Sequence, residues 1–364
     1  MQIQELKLLN FRNYDRVQVS FDSHLNIIYG KNGSGKTNLV ESIYFLALTR
    51  SFKQSNDRVL IRSHTNLTKV EGVIYNQYQT TYKVILSDEG KTVKIDNNKI
   101  SKISDYISKI NVVLFSPNDL KMIKDTPSVR RKYLNILVSQ LDVSYLKELN
   151  QYNKLLKVRN AYLKKMYLNG NALMIYLDVV TEKLVEVGLS IYEIRKKCLF
   201  EINSFIGEIY KDIALNDELK VKYVSDYENK TREEILDYYK KTKSKDISFG
   251  KTNFGIHHDD FLFLLNDYDI KDYGSQGQQK NAVIAWKFSE MMLFKQLKSI
   301  LPILILDDLL SELDKEKIKN ILSFIDDKIQ TFITTTEIEK IESLLIDKTY
   351  KKINVSNGQL EEVL

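Results

Sequence analysis

Proline is almost missing from this 364-residue chain. It occurs only at Pro117, Pro127 and Pro302, so nothing between Val129 and Leu301 stops a long helix through a missing N–H. The single cysteine, Cys198, excludes an internal disulfide and any cysteine-based zinc cluster, and it points to a reducing cytosol. No segment approaches the ~20 apolar residues that cross a bilayer. The first seven residues carry neither an apolar run nor a cleavage site, so a soluble, cytoplasmic protein with no membrane partner is expected. Charge of one sign is not in large excess either. The 54 basic and 48 acidic residues leave +6, a mild basicity compatible with a nucleic-acid partner. Hydrophobic residues at 43% and charged residues at 28% describe an ordinary globular chain, long enough for two domains.

What is present falls into three stretches. The first reads as strands and hairpins around one helix. Leu25–Tyr29 is a short buried strand, apolar residues from Leu39 to Leu48 recur at helical spacing, and 69–75, 81–87 and 92–96 look like antiparallel strands. Turns are expected at Asp88–Lys91 and at Asn97-Asn98. The middle stretch is helical. Tyr145, Leu149, Tyr152, Leu156, Leu163 and Met166 form one stripe, broken near Arg159. After a turn at Asn169-Gly170-Asn171 a second stripe runs from Leu173 to Ile209 in steps of three and four, which predicts an antiparallel helix pair. About five heptads is too short for a long coiled-coil arm. From about Ile247 strands and helices return: a helix over 282–297, buried strands at 303–306 and 331–334, and an Asn357-Gly358 hairpin.

The strongest chemical signal is Gly30-Lys31-Asn32-Gly33-Ser34-Gly35-Lys36-Thr37, which fits G-x-x-x-x-G-K-[ST] between a strand and a helix. Such a loop wraps backbone N–H groups around phosphates, and the following helix points its positive end at them. Lys36 is expected on the β/γ-phosphates and the Thr37 hydroxyl on Mg²⁺, so ATP and Mg²⁺ are the expected ligands. The metal partner is expected at the end of the apolar run Ile303–Leu306. Asp307 would reach Mg²⁺ and Asp308 would orient water beside the γ-phosphate. Lys36 and Asp307 stand much farther apart than in a small kinase or GTPase, so an insertion divides the two halves of the site. A third element, Ser275-Gln276-Gly277-Gln278-Gln279, opens the 282–297 helix. Ser275 is a good N-cap there, and the helix start is a second anion site. Gly255-Ile256-His257-His258-Asp259-Asp260 could suggest a metal site. Neighbours on a strand point to opposite faces, which favours a hydrogen-bonded structural cluster instead.

In order, the P-loop, the S-x-G-Q element, the Asp307-Asp308 strand and Ser311-Glu312-Leu313-Asp314 resemble the ATPase heads of ABC proteins. The whole chain further resembles the RecF family of bacterial recombination-repair ATPases. That resemblance rests on Leu9–Tyr14, Asn38–Ile43, Leu48–Lys53, Phe115–Leu120 with Arg130-Arg131, Ser275–Gln279, Asp307-Asp308 and Ser311–Asp314. The family pattern G-P-H-R-D-D is replaced here by 255–260, and Asp308 stands where many relatives carry Glu. The Gln and His elements of transporter ATPases are absent, with Ser116–Asn118 and Thr334–Thr336 in their places.

The resemblance implies an α/β P-loop ABC-type head. A mixed-sheet lobe I of residues 1–118 and 249–364 would carry an inserted α-helical lobe II of residues 119–248. Arg12, the residues 30–38 through Asn38, and Ser275, Gly277 and Gln278 are implied in nucleotide binding, the last three reaching across an ATP-dependent homodimer. Lys36 and Asp308 would be catalytic in a weak, DNA-stimulated ATPase; Thr37 and Asp307 would hold the metal. The implied setting is DNA replication, recombination and repair in the SOS response to DNA damage. The partners would be gapped or junction DNA and RecR, in support of RecA loading. Lys154, Lys157, Arg159, Lys164, Lys165 and 240–245 are candidate phosphate contacts. A transporter motor subunit and another SMC-type head are the alternatives. The missing Gln and His, and the short hairpin with no nuclease domain, argue against them.

Overall fold

Leu6 and Leu8 are buried and Lys7 between them is turned outward, and that alternation makes β1 (Gln2–Phe11) a half-buried strand. A register shift between Ile3 and Glu5 brings Ile3 onto the same buried face despite its odd spacing. The computed structural model describes residues 1–169, 174–214, 217–309, 315–345 and 349–363. These divide into two compact units. One is built from Met1–Leu120 with Val283–Leu364, the other from Lys121–Ala282.

In the first unit, β1 is followed by β2 (Tyr14–Ser20), β3 (Leu25–Tyr29), α1 (Lys36–Leu48), β4 (Leu67–Asn76), β5 (Tyr78–Ser87), β6 (Gly90–Ile95), β7 (Asn98–Ile100) and β8 (Val112–Phe115). The second unit contains α2 (Lys121–Lys124), α3 (Pro127–Leu141), α4 (Tyr145–Asn169), α5 (Met174–Ile213), β9 (Leu219–Val224), α6 (Arg232–Lys241), α7 (Lys243–Phe249), β10 (Asp260–Leu265), β11 (Tyr268–Asp269) and α8 (Ile270–Tyr273). The helix α9 (Gln276–Lys298) begins in it and leads back to the first unit, which ends with β12 (Ile303–Asp307), α10 (Lys315–Phe324), β13 (Thr331–Thr335), α11 (Ile338–Glu342), β14 (Tyr350–Ser356) and β15 (Gln359–Val363).

Two sheets organise the first unit. One is antiparallel in the order β2-β1-β4-β5-β6-β7; the other runs β15-β14-β3-β13-β12-β8 and is parallel except for its edge strand β15. Helix α1 packs against strands of both sheets, so Leu39 through Leu48 are all buried. A helix apolar on every side needs such a sandwich. The parallel register sets Asp307 of β12 beside Thr334 of β13, and Thr335 beside Tyr29 of β3. The carboxyl ends of three strands far apart in sequence therefore lie at one level, the usual place for a ligand crevice in an α/β sheet.

In the second unit α4 and α5 form the expected antiparallel pair. Arg159 bonds Thr181 while Arg195 bonds Tyr145, so as one number rises the other falls. Of the expected turn only Asn169 lies within the described residues, and Leu173 of the stripe lies outside them. The break read near Arg159 does not exist. Helix α4 is continuous, and Arg159 occupies a buried position itself, only 1% exposed. Its guanidinium donates to Asp246 at 2.8 Å and to Thr252 at 2.7 Å. Arg159 is thus a buried internal cation and not a surface phosphate contact.

The helical unit also runs further than the sequence suggested. Residues 249–282, assigned above to the ATPase lobe, belong to it, because β10 pairs antiparallel with β9. The 255–258 segment is a turn, not a strand, with Asp260 opening β10. Its side chains form a hydrogen-bonded cluster: Asp259 accepts from Arg195, Tyr223 and Ser225, Asp260 accepts from Arg130 twice, and His257 meets the Tyr152 hydroxyl at 2.8 Å. Burial, helped by neighbouring His258, pushes the His257 pKa down to about 4. No acid, histidine or cysteine cluster suited to a metal occurs among the described residues.

Arg159→Met removes the partner of Asp246, whose side chain is 1% exposed. Stranding a buried charge costs about 3 kcal/mol or more. Urea unfolding followed by the helical signal should show a loss of that order. An unchanged midpoint would contradict the role given to the pair.

Candidate functional site

The loop between β3 and α1 has glycines where the backbone turns left-handed: φ is 150° at Gly30, 78° at Gly33 and 123° at Gly35. A side chain at Gly35 would also collide with Asn13 Nδ2, 2.6 Å from the added carbon. The loop is held from behind. Asn13 Nδ2 and Gly358 N donate to the Ser34 carbonyl at 3.1 and 3.2 Å, and the Tyr14 hydroxyl donates to the Gly35 carbonyl at 3.0 Å. The Ser34 and Gly35 carbonyls are thus held from behind, which suits a loop that offers N–H groups to phosphate. Asn38 Nδ2 joins the brace by donating to Asn13 Oδ1 at 2.8 Å.

The cleft beyond the loop has a volume of about 170 Å³ and is lined by Asn32, Gly33, Gly35, Lys36, Thr37, Asn38, Lys53, Asp308 and Thr334. Lys36 Nζ donates to the carbonyls of Gly30 at 2.8 Å and Lys31 at 3.0 Å. Burial lowers its pKa, opposed by the charges of Asp308 and Asp307. Burial raises that of Asp307, countered by hydrogen bonds from Thr334 and Thr37. Thr334 works in both directions, donating to Asp307 Oδ1 and accepting from Asp308 N, each at 2.9 Å. Asp308 sits at φ 53°, a left-handed conformation unusual for a residue with a side chain.

The structure therefore brings Lys36, Thr37, Asp307 and Asp308 together at the ends of β3, β13 and β12. Thr37 hydroxyl and Asp307 carboxylate are hard oxygen donors of the kind Mg²⁺ takes. Ser34 Oγ is buried in the loop with no partner. A cradle of this size, cationic at Lys36, suits a polyphosphate. A larger cavity of about 260 Å³ lies at the opposite strand ends, lined by His24, Leu25 and Thr331 among others. Its described lining residues include neither a glycine loop nor a lysine or arginine, unlike those of the smaller cleft.

Other expected residues lie elsewhere. Arg12 is not among the described lining residues of the cleft; its guanidinium donates to Glu41 of α1 by two bonds of 2.9 and 3.0 Å, and Glu41 also lies 4.0 Å from Lys53 of the lining. Ser275 belongs to the second unit and caps α9: its Oγ accepts from Gln278 N at 3.2 Å, while its own N donates to Gln278 Oε1 at 2.9 Å. Gly277 and Gln278 lie in the first turn of that helix. The 311–314 segment lies outside the described residues. Sequence reasoning missed Lys53, which donates to Asn38 Oδ1 at 3.0 Å and has its pKa lowered by burial against the pull of Glu41 and Asp307. It also missed why Asn13 and Tyr14 matter. Both touch backbone carbonyls, which leave no trace in a pattern of side chains.

A phosphate loop leading into a sandwiched helix, a carboxylate pair at the end of a parallel strand one removed from the loop's own, and a Ser-capped helix at the close of a helical insertion define an ABC-type ATPase head. The family described as RecF/RecN/SMC N terminal domain matches residues 2–361. The chain is similar to the DNA replication and repair protein RecF of Pediococcus pentosaceus, 37% identical over 369 residues that cover 99% of this chain and 98% of that one. It is similar also to RecF of Halalkalibacterium halodurans, 38% identical over 351 residues and 94% of each. Among solved structures, the recombination mediator protein RecF with ATP, of the RecFOR pathway, superposes with a TM-score of 0.91 at 30% identity, covering 100% of this chain and 98% of that one. The Smc head domain of Pyrococcus furiosus, at TM-score 0.55 and 15% identity, shares the fold alone. The chain belongs to the RecF family.

Asn13→Ala deletes one bond to the Ser34 carbonyl and the contact with Asn38. A hydrogen bond is worth about 1 kcal/mol net, so ATP binding measured by calorimetry should weaken roughly five- to tenfold. Affinity equal to wild type would show that the brace does not shape the loop.

Proposed function

We propose that this chain is an ATP-gated DNA-binding protein of recombinational repair. ATP with Mg²⁺ would bind at Gly30–Asn38, and its bound form would favour a dimer on DNA. The observation that carries this reading is that Lys36, Thr37 and Asp308 line one cleft with Asp307 buried against Thr37 and Thr334 beside it. A magnesium ion there would neutralise charge on the β- and γ-phosphate oxygens. Lys36 would release the Gly30 and Lys31 carbonyls for the phosphates, Thr37 and Asp307 would hold the metal, and Asp308 would orient the attacking water.

The cleft is wide to one side, with Asn32 and Gly33 exposed. Ser275 of a second copy, at the positive end of its 23-residue helix, is the group proposed to close it on the γ-phosphate. Association then depends on the triphosphate because those contacts exist only in the dimer. Asp308 reaches one methylene less far than Glu, so hydrolysis is slow and serves as a timer for release. The relatives' names speak of DNA replication and repair and of the RecFOR pathway; the substrate we propose is DNA at gaps or junctions, the partner RecR, and the outcome help to RecA. Lys154, Lys157, Lys164 and Lys165 are exposed along α4, as are Lys240 and Lys245, and they are proposed phosphate contacts. Lys243 is held by Asp178 and Lys241 by Asp237, which makes them weaker candidates.

Asp308→Asn should still bind ATP and dimerise while hydrolysis falls about a hundredfold, the usual worth of a group that handles the attacking water. Full turnover by this variant, measured as phosphate release, would remove Asp308 from the reaction. Ser275→Arg should bind ATP as a monomer and fail to associate in sedimentation. ATP-driven dimerisation of that variant at wild-type strength would defeat the two-headed site.

A further inference from the structure

The cleft that holds the phosphate loop offers nothing flat to a nucleobase. Among its described lining residues there is no aromatic ring. The second unit shows the opposite feature. Immediately before Ser275, Tyr268 and Tyr273 are 64% and 75% exposed, with ring centroids 5.7 Å apart in an edge-to-face pair. Large aromatics so exposed and so close together, one opening β11 and the other ending α8, are unusual on a surface that touches nothing.

The turn from α8 into α9 is also tied down. Gly274 N donates to the Ile270 carbonyl at 3.0 Å, and a side chain at Gly274 would run into that oxygen. Gln279, 5% exposed, points its Nε2 at the carbonyls of Ile270, Lys271 and Gly274, at 3.1, 3.4 and 3.2 Å. Three carbonyls facing one amide end fix that end as the NH₂ group. The turn bearing Tyr273 is therefore tied to the first turn of α9, which sets the backbone of Tyr273 at a fixed place relative to Ser275. A preformed aromatic surface costs little ordering when a ligand arrives.

We propose that Tyr273, backed by Tyr268, is a nucleobase platform supplied in trans: it covers the base of the ATP bound in the cleft of a second copy while Ser275 meets the phosphates. This rests on the dimer reading above and adds a residue to it. The partner's ring supplies the stacking surface that the cleft lacks, and the tyrosine hydroxyls stay at the wet rim. Base recognition would then belong to the dimer, and phosphate recognition to each head alone.

Sedimentation of the full chain with Mg²⁺ and ATP tests this. Loss of one base–aromatic stack is worth about tenfold to a hundredfold in an equilibrium. Tyr273→Ala should weaken ATP-driven association at least tenfold while keeping the wild-type unfolding midpoint, and Tyr273→Phe should restore it to within about threefold. With inorganic tripolyphosphate, which has the charge and no base, wild type and Tyr273→Ala should associate equally. If Tyr273→Ala dimerises with ATP as tightly as wild type, the platform is refuted and the dimer reading stands. Wild type that fails to associate with ATP at all would overturn both.

Discussion

The carboxylate of Asp307 is buried beneath the cleft, and a buried charge persists only where hydrogen bonds or a counter-charge satisfy it. Thr334 donates to it from the next strand and Thr37 from the helix after the phosphate loop, while Lys53 and Lys36 add their charges. One group thus ties β12, β13 and α1 to a common point. The parallel register between β3, β13 and β12 makes the meeting possible, since each strand delivers its carboxyl end to the same level. Everything proposed for this site follows from that constraint. A metal held by Thr37 and Asp307 would take over part of what the threonines supply, and the left-handed turn at Asp308 sets the next carboxylate at the cleft lining.

The second unit is built on the same physics without a ligand. Its core contains two arginines, Arg159 and Arg195, each paired with a single aspartate and roofed by hydroxyls. Such pairs add less stability than an apolar core would, but they fix register, since a helix slipped by one turn would strand both charges. A unit with one allowed register presents Tyr273 and Ser275 in one arrangement. Rigidity in the insertion would be useful to a site completed by another chain, as proposed above.

Much of this was legible in the sequence where the pattern is local. Gly30–Thr37, the apolar strand before Asp307 and the Ser275 cap each need only a few neighbouring residues to be recognised. What failed was non-local. Arg159 looked like a gap in an apolar stripe because its partner Asp246 is far along the chain. The boundary placed at 248 fell short because β10 belongs with β9, and alternation shows that a segment is a strand without showing which strand it joins. Asn13 and Tyr14 were quoted as a signature, yet their work, holding two loop carbonyls, depends on backbone atoms that no side-chain pattern records.

The central claim is that the nucleotide site is shared between two chains, Lys36 from one and Ser275 from the other. Mixing Lys36→Ala chains with Ser275→Arg chains tests it most directly. Each variant alone lacks both complete sites, but a mixed dimer holds one intact site, from the loop of one chain and the capped helix of the other. The mixture should regain ATP-dependent association and part of the ATPase rate while each variant alone shows neither. A mixture that stays monomeric and inactive, beside a wild type that dimerises with ATP, would contradict the account.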